Sequence, residues 1–298
     1  MNEPVSLRSV VVGACGFVGS HLCEVLAQAG HALLAFDDAN RVAEGLVDSF
    51  PEVVRGLGAS PESWPLEWRG ALSGASFLFV VEGPQVQVEA ALAAAGSVQR
   101  VVLISAAEVY GEPQSEPFSE EAAPAPQGGR ARELLDLERA VRASELPHVI
   151  LRPTGVYGPR GARGLWEARR RVGVTGPSSA QRVGLVHARD LARAALHVAA
   201  RADLAPATTY NVGDDAGLRA AEAARLVSRI AGRPHLSLRW PALPRRWLRF
   251  ARPRKSLAIG APRVSSARLA ETGFALEYPH PGPGLRETLA WYKQEGWL

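Results

Sequence analysis

Short apolar runs alternate with amphipathic segments along the first half of the chain. Ser9–Val12 is a β-branched run that ends at Gly13, and Phe17–Ala29 carries apolar residues at helical spacing before Gly30. A run of the first kind is typical of a buried strand, and the second pattern is typical of a helix with one face on a core. Their alternation predicts a parallel sheet with helices on both of its faces.

The same reasoning extends to the rest of the chain. Further strands are predicted at Ala32–Phe36, Glu52–Arg55, Ser76–Val81, Arg100–Ser105, Val149–Leu151, Arg182–His187 and Tyr210–Val212. Further helices are predicted at Glu89–Ala95, Arg130–Ala143, Arg189–Ala200 and Ala220–Ile230, with a last helix ending within Trp291–Leu298. The stretch from Glu112 to Gly129 is rich in Pro, Gly and Glu and is predicted to be a surface loop.

These elements predict an α/β fold, a Rossmann doubly wound parallel sheet with a smaller C-terminal substrate lobe. The sheet domain is expected to span residues 1–160 and to include a returning strand near 208–213. The lobe is expected to take up most of residues 161–298.

A glycine-rich turn joins the first predicted strand to the first helix. It reads Gly13-Ala14-Cys15-Gly16-Phe17-Val18-Gly19, with the spacing G-x-x-G-x-x-G. Glycines at this spacing allow a tight turn and a close approach of the backbone to a pyrophosphate, which then faces the free N–H groups of the helix N-terminus. The turn lies between a strand and an amphipathic helix, as a dinucleotide site requires. The predicted cofactor contacts are Gly13, Gly16, Phe17, Val18 and Gly19.

An acidic residue ends the second predicted strand. The carboxylate of Asp37 can accept hydrogen bonds from the hydroxyls of the adenine ribose and would repel a 2′-phosphate, so NAD(H) is favoured over NADP(H). Arg41, four residues further on, weakens this preference because a basic side chain could bind that phosphate.

Composition excludes several other classes of protein. The 298 residues carry a net charge of +4, which is too small to indicate nucleic acid binding. No apolar run approaches twenty residues and no signal peptide is recognisable, so a soluble cytoplasmic protein is expected. Cys15 and Cys23 fit no zinc or redox spacing and are predicted to be buried fillers, and no metal site is predicted.

Four further segments resemble the extended short-chain dehydrogenases/reductases, the superfamily of nucleotide-sugar epimerases and dehydratases and of 3β-hydroxysteroid dehydrogenases. Leu103–Gly111 is similar to the signature S-[ST]-x-x-V-Y-G after the fifth strand, and Leu151–Pro159 matches R-P-x-x-V-Y-G-P. Val186–Ala192 resembles V-H-V-x-D-L-A, and Tyr210–Asp214 resembles Y-N-V-G. The segments follow the order of the family and cover nearly the whole chain. Val80–Gly83 stands where the family has H-L-A-A.

The resemblance implies chemistry by a Tyr and a Lys, spaced Y-x-x-x-K, on the helix after the fifth strand. Gly128 and Arg132 occupy these two positions here, and shifting the alignment by two residues places Arg130 and Leu134 there instead. The sequence has only two lysines, both near its C-terminus, and no tyrosine close to this helix. The usual proton donor is therefore absent.

Three residues remain as candidates for proton transfer. Glu108 is the first, because dehydratases of the resembled family place a catalytic Glu at this position. Ser105 and Tyr157 follow, since both are predicted at the C-terminal edge of the sheet. Each also has a structural alternative. Glu108 could be a solvated loop carboxylate, Ser105 could bond to backbone through its hydroxyl, and Tyr157 could form a pocket wall. Further cofactor contacts are expected at Ser105, Arg132, Pro153 and Val156.

A basic segment lies near the C-terminus. Eight basic residues and no acidic one occur between Arg233 and Lys255, among aromatic residues. The resemblance implies that this region covers the substrate pocket. Peripheral membrane contact stays open as an alternative. Nucleic acid binding is a weaker alternative, because the net charge of the chain is small.

The predicted function is that of an atypical NAD(P)H-dependent oxidoreductase acting on a small or hydrophobic metabolite in specialised metabolism. Reduction of an activated acceptor, such as an iminium or an enone, would depend least on the missing proton donor. A non-catalytic NAD(P)-binding sensor or scaffold and a nucleotide-sugar epimerase/dehydratase-like enzyme are the alternatives. The ending Leu285–Tyr292 resembles the 3β-hydroxysteroid dehydrogenase-like branch, and a homodimer is expected from the resemblance.

Overall fold

The computed structural model describes most of the sheet and of the C-terminal helices. The described residues are 7–37, 53–55, 66–96, 98–161, 182–214, 217–219, 222, 225, 226, 229 and 261–296. Arg41, most of the helix predicted at Ala220–Ile230 and the basic segment Arg233–Lys255 lie outside them.

Strands and helices alternate as the sequence pattern predicts. The strands are β1 (Arg8–Val12), β2 (Ala32–Asp37), β3 (Val53–Arg55), β4 (Phe77–Val80), β5 (Arg100–Ile104), β6 (His148–Pro153), β7 (Gly155–Tyr157), β8 (Arg182–Val183), β9 (Leu185–His187), β10 (Thr208–Val212) and β11 (Leu218–Arg219). The helices are α1 (Phe17–Gln28), α2 (Leu66–Ser73), α3 (Gln85–Ala94), α4 (Gly129–Ala143), α5 (Ala188–Ala200), α6 (Ala267–Glu271) and α7 (Pro281–Gln294).

Seven of these strands form one parallel sheet in the order β10-β6-β5-β4-β1-β2-β3. The chain moves outward from β1 to β3 and then returns to β4 on the other side of β1. This order confirms the predicted Rossmann fold. Ligands of such sheets bind at the carboxyl ends of the strands where the order reverses, which here lies between β1 and β4.

Two apolar clusters cover the two faces of the sheet. Successive residues of one strand belong to different clusters, because side chains alternate between the faces of a strand. Val11 packs in the cluster that contains residues of α1 and α5, whereas Val10 and Val12 pack in the cluster with residues of α2, α3 and α4. The strands are therefore apolar on both sides, as the runs in the sequence indicate.

Several elements differ from the sequence prediction. The strand predicted at Arg182–His187 is two strands, β8 and β9, in separate two-stranded sheets, and β11 and α6 were not predicted. Pro153 ends β6 but does not end extended structure, because β7 follows and pairs with β9 in a separate two-stranded sheet. Helix α3 begins at Gln85, four residues before the predicted start, directly after Pro84. Helix α2 was not predicted, because its sequence LEWRGALS has no clear helical periodicity. Pairing and packing between distant segments decide these elements.

Helix α7 packs against the pair β7 and β9. A Cβ atom on Gly284 would lie 2.6 Å from the hydroxyl oxygen of Tyr157, so the contact requires the absence of a side chain at this position. The buried carboxylate of Asp190 accepts hydrogen bonds from the backbone N–H groups of Glu277 and Tyr278, both at 2.8 Å. The start of α5 thus fixes the segment that leads into α7.

His21 links α1 to the segment after β7. Its Nε2 donates a hydrogen bond to the carbonyl oxygen of Pro159 at 2.9 Å, and a Cβ on Gly161 would lie only 2.2 Å from the ring of Phe17. Burial lowers the pKa of His21 to about 4, and the positive charge of Arg160 adds to this effect although the hydrogen bond to Pro159 opposes it. His21 is therefore neutral in the folded protein at physiological pH.

The low pKa of His21 predicts a loss of stability in acid. Unfolded histidine binds a proton below about pH 6.5, whereas His21 in the folded protein binds one only near pH 4. Its contribution is present above pH 6.5 and is lost as the pH falls from 6.5 to 4, by roughly 3 kcal/mol at most. We expect His21→Gln, which keeps a donor for Pro159, to reduce the fall in free energy of unfolding between pH 7 and pH 4.5, as measured by urea denaturation.

The exposed His280 provides the control. His280→Gln is expected to retain the full pH dependence of the wild type. A His21→Gln variant with the pH dependence of the wild type would contradict this assignment.

Candidate functional site

The glycine-rich turn lies where β1 passes into α1, beside the end of β4. Gly13 has φ +82°, and a Cβ on it would lie 2.4 Å from the carbonyl oxygen of Glu82. A Cβ on Gly19 would lie 2.0 Å from the carbonyl oxygen of Gly13. These two glycines are required by contact with backbone that cannot move aside. Gly16 is the N-cap of α1 and has no side chain to accept hydrogen bonds from the first turn.

Asp37, at the end of β2, is bonded to this turn. Its Oδ2 accepts a hydrogen bond from the backbone N–H of Cys15 at 2.6 Å, and the side chain is 7% exposed. The backbone N–H of Gly13 donates to the carbonyl oxygen of Phe36 at 2.8 Å, which holds the turn against β2. The predicted contacts Phe17 and Val18 are half-buried at the start of α1.

These residues fit a dinucleotide. The turn has no side chain over the N-terminus of α1, so its backbone can approach a pyrophosphate, and the carboxylate of Asp37 stands one strand away, in reach of a ribose. The predicted dinucleotide turn and the predicted carboxylate therefore lie together at the carboxyl ends of β1 and β2, joined by the hydrogen bond from Cys15 to Asp37.

A buried polar network lies below the second half of the site. Ser105, directly after β5, donates a hydrogen bond from its hydroxyl to Oε1 of Glu138 on α4 at 2.6 Å. Arg152 on β6 donates from Nε to the same oxygen at 2.9 Å and from Nη2 to Oε2 at 2.6 Å. Glu138 is 1% exposed and Arg152 is 4% exposed. The carboxylate of Glu138 thus has both a buried cation and a hydroxyl as partners.

The network continues from Arg152 to two further buried residues, Tyr110 and Asn211. The guanidinium of Arg152 lies 4.8 Å from the ring centroid of Tyr110, whose hydroxyl donates to Oδ1 of Asn211 at 2.8 Å. Burial opposes the charge of Arg152, but the hydrogen bonds and charge of Glu138 outweigh it and raise the pKa of the guanidinium above its usual value. Burial also raises the pKa of Tyr110. Both groups therefore keep their protons at every physiological pH.

The partners of Glu138 predict a large loss of stability when the carboxylate is removed. Glu138→Ala leaves the guanidinium of Arg152 buried without its counter-charge, and we expect a loss of about 3–5 kcal/mol in the free energy of unfolding. Glu138→Gln, which retains one acceptor oxygen, is expected to lose less. Urea denaturation measures both. The exposed Glu133 on the same helix is the control, and Glu133→Ala is expected to change stability by less than about 0.5 kcal/mol. A loss below about 1 kcal/mol for Glu138→Ala would contradict the role given to the pair.

The three predicted proton-transfer candidates lie in different surroundings. Ser105 is buried and its hydroxyl hydrogen is directed to Glu138. Glu108 is exposed at the start of a 3₁₀ turn three residues further along the chain. Tyr157 is buried between His187, with ring centroids 5.2 Å apart, and the apolar side chains of α7. No hydrogen bond between described residues joins any two of the three.

Tyr157 has the surroundings of a packed core residue. Its hydroxyl has no hydrogen-bond partner among the residues that the structure describes. Burial, and after it the negative charge of Asp214, raises the pKa of this phenol far above its usual value. A phenol in this environment holds its proton tightly.

We accordingly expect that removal of the Tyr157 hydroxyl does not lower the free energy of unfolding. Tyr157→Phe should leave the free energy of unfolding unchanged or raise it by up to about 1 kcal/mol, because the buried hydroxyl has no partner to lose. Tyr110→Phe is the matched comparison, since it leaves Oδ1 of Asn211 without its donor and should lose about 1–3 kcal/mol. Denaturation in urea compares the two variants, and a marked destabilisation by Tyr157→Phe would reveal a partner for that hydroxyl.

The other predicted contacts are distributed along α4 and after β6. Arg132 is exposed, as is Arg130. Leu134 lies one turn before Glu138 and packs on the apolar cluster beneath α4. Pro153 is buried at the end of β6, and Val156 packs against the cluster that includes α1. Arg41 is outside the described residues, so its role stays a prediction.

Sequence reasoning missed the buried network and the position of Glu82. Arg152 follows the apolar run Val149–Leu151, and Asn211 stands between Tyr210 and Val212. A polar residue among buried strand residues indicates a buried partner. Glu138 gave no such signal, because a Glu on a helix is usually solvated. Glu82 lies within Val80–Gly83, where the sequence departs from the resembled family.

Three further observations bear on other predicted properties. Cys15 and Cys23 are both buried, as predicted, and burial raises the pKa of the Cys23 thiol to about 12. Within the described residues, no cluster of three His, Cys, Asp or Glu side chains is arranged to hold a metal ion. In the same part of the chain, no helix combines the length and the apolar character needed to span a membrane.

Comparison with known proteins places the site in a family. The model of the NAD dependent epimerase/dehydratase family matches residues 9–55 and 80–213, which together form more than half of the chain. The expected cofactor, NAD, is that of this family. A search of curated proteins found no match.

Solved structures share the fold at low sequence identity. UDP-glucuronic acid 4-epimerase from Bacillus cereus, in complex with UDP-glucuronic acid and NAD, has a TM-score of 0.76 and 17% identity, over 97% of this chain and 100% of that one. dTDP-glucose 4,6-dehydratase from Bacillus anthracis, in complex with NAD, has a TM-score of 0.73 and 15% identity, over 98% of each chain. UDP-glucose 4-epimerase from Thermotoga maritima, with UDP-glucose, has a TM-score of 0.71 and 16% identity, over 97% of this chain and 99% of that one.

Proposed function

We propose, from the premise that this chain belongs to the NAD-dependent epimerase/dehydratase family, that it is an NAD(H)-dependent oxidoreductase acting on a small or hydrophobic metabolite. The observation that carries the proposal is the close-packed turn at Gly13 and Gly19 together with the carboxylate of Asp37. This surface lies at the switch point of the sheet, where such folds bind dinucleotides. When bound there, NAD(H) supplies or accepts a hydride.

The residues around Ser105 favour substrates that need little help from an acid. Ser105 directs its hydroxyl hydrogen to Glu138, so the oxygen of this side chain can accept a hydrogen bond but is not set to donate one. In one alignment with the family, Gly128 and Arg132 take the positions of the Tyr and the Lys. In the other, Arg130 and Leu134 take them, and both arginines are exposed on α4. Glu108 is exposed and follows the end of β5 by four residues, which is why we keep it as the first candidate for proton transfer. An iminium or an enone is already activated, which is why we favour it over a simple ketone.

The C-terminal helix supports a small or hydrophobic substrate. Its sequence Leu285–Tyr292 resembles the 3β-hydroxysteroid dehydrogenase-like branch, and it packs on β7 and β9 through Leu285, Leu289 and Tyr292. These three side chains are buried in that contact, so the support for this substrate class comes from the resemblance.

A nucleotide-sugar reaction is the second candidate. The observation that favours it is the match of solved epimerases and dehydratases of UDP and dTDP sugars along the whole chain. The absence of lysine from the first 254 residues speaks against it, since these reactions need a proton donor and acceptor at the sugar hydroxyl. A sensor or scaffold that binds NAD(H) without turnover is the third.

Binding of NADH tests the cofactor assignment. We expect wild-type protein to bind NADH more tightly than NADPH in fluorescence titrations, because the carboxylate of Asp37 repels a 2′-phosphate. Asp37→Ala should weaken NADH binding by about tenfold or more, the equivalent of about 1.4 kcal/mol, and should narrow the preference over NADPH. Since Asp37 also accepts from Cys15, circular dichroism must show that the variant is folded.

Turnover assays separate the three candidate functions. Oxidation of NADH that depends on an imine or enone acceptor supports the oxidoreductase, and conversion of a UDP or dTDP sugar in the presence of NAD supports the second candidate. Tight NADH binding without turnover on either panel supports the sensor. The proposal fails if neither pyridine dinucleotide, oxidised or reduced, binds.

A further inference from the structure

A carboxylate reaches into the phosphate-binding turn from the end of β4. Oε2 of Glu82 lies 3.2 Å from the point that a Cβ on Gly16 would occupy. Gly16 is the central glycine of the turn and the N-cap of α1. A negatively charged oxygen therefore stands at the position where the backbone is open to a pyrophosphate.

The backbone of Glu82 packs against that of the turn. Its carbonyl oxygen and its N atom would lie 2.4 Å and 2.6 Å from a Cβ on Gly13, so only a glycine leaves room for it. The backbone N–H of Val81, the preceding residue, donates to the carbonyl oxygen of Val12 at 2.9 Å and fixes the end of β4 to β1. Only rotation of the half-exposed side chain can move the carboxylate.

The carboxylate and a pyrophosphate compete for the same electrostatic environment. The N-terminus of α1 carries a partial positive charge and favours an anion. The first turn of α1 contains no acidic residue, and Gly16 has no side chain, so α1 supplies no anion of its own. Two anions a few ångströms apart repel one another, and one group must leave when the other arrives.

We propose that the side chain of Glu82 occupies the place of the cofactor pyrophosphate in the free protein and must turn away when a dinucleotide binds, so that it reduces the affinity for phosphate-containing ligands. This inference rests on the proposed dinucleotide site and adds a residue that sets its affinity. Glu82 then discriminates between ligands by their charge. A ligand with a diphosphate binds less tightly because it must displace the carboxylate, whereas a nucleoside without phosphate binds without displacing it.

Removal of the charge tests the inference through binding alone. The dissociation constants of NADH, ADP-ribose and adenosine are measured by calorimetry for the wild type, Glu82→Gln and Glu82→Ala. Both variants are expected to bind NADH and ADP-ribose about tenfold more tightly than the wild type, and to bind adenosine unchanged. Glu89→Gln, on the exposed surface of α3, removes one carboxylate at a distance from the turn and is expected to leave all three constants unchanged.

The outcomes distinguish this inference from the proposed function. Equal NADH affinity in the wild type and both Glu82 variants overturns the inference and leaves the cofactor assignment intact. Equal gains for adenosine and for ADP-ribose overturn it as well, because the effect would then be steric and not one of charge. A wild type that binds NADH about tenfold less tightly than both Glu82 variants, with equal affinity for adenosine, supports the inference. Failure of all proteins to bind any of the three ligands overturns both.

Discussion

Backbone packs directly on backbone where β1 passes into α1, and the site depends on this contact. A side chain at Gly13 would collide with the backbone of Glu82 after β4, and one at Gly19 would collide with the carbonyl of Gly13. This contact fixes the helix axis relative to two neighbouring strands, and the hydrogen bond from Cys15 to the carboxylate of Asp37 adds to it. The same contact leaves the N-terminus of α1 open at the switch point, so that one steric constraint defines both the packing of the sheet and the place of the ligand.

The buried pair of Glu138 and Arg152 has a different effect on the second half of the site. A carboxylate that is almost fully buried needs a cation and hydrogen-bond donors, and it obtains them from β6 and from Ser105. These bonds satisfy the buried carboxylate. They also direct the hydroxyl hydrogen of Ser105 to Glu138, so that this hydroxyl does not donate to another group. Glu108, which is exposed to solvent, therefore stays the first of our proposed candidates for proton transfer.

Periodicity in the sequence was sufficient to predict the sheet but not the buried network. The strands that build the sheet are apolar on both faces, and the turn Gly13–Gly19 has a spacing that few other structures require, so both could be recognised from residue order alone. The contact of Glu138 with Ser105 joins residues 33 positions apart in the sequence, and nothing local marks either partner. Strand β7 was missed for a similar reason, since its partner β9 follows nearly thirty residues later. Long-range pairing leaves no periodic trace in the sequence.

The charges around the dinucleotide turn bear on which kind of reaction suits this chain. A carboxylate, that of Glu82, stands next to Gly16 in the dinucleotide turn. It reduces the positive potential that would hold a pyrophosphate. The alignment that places Leu134 at the position of the family's lysine predicts a further reduction, whereas the one that places Arg132 there keeps the charge. An epimerisation restores its cofactor within each turnover and gains from tight retention, whereas a net reduction consumes one NADH per turnover and requires release of the oxidised form. A weaker hold on the cofactor thus suits net oxidoreduction better than a redox-neutral reaction, which supports the first of the candidate functions on grounds independent of the substrate.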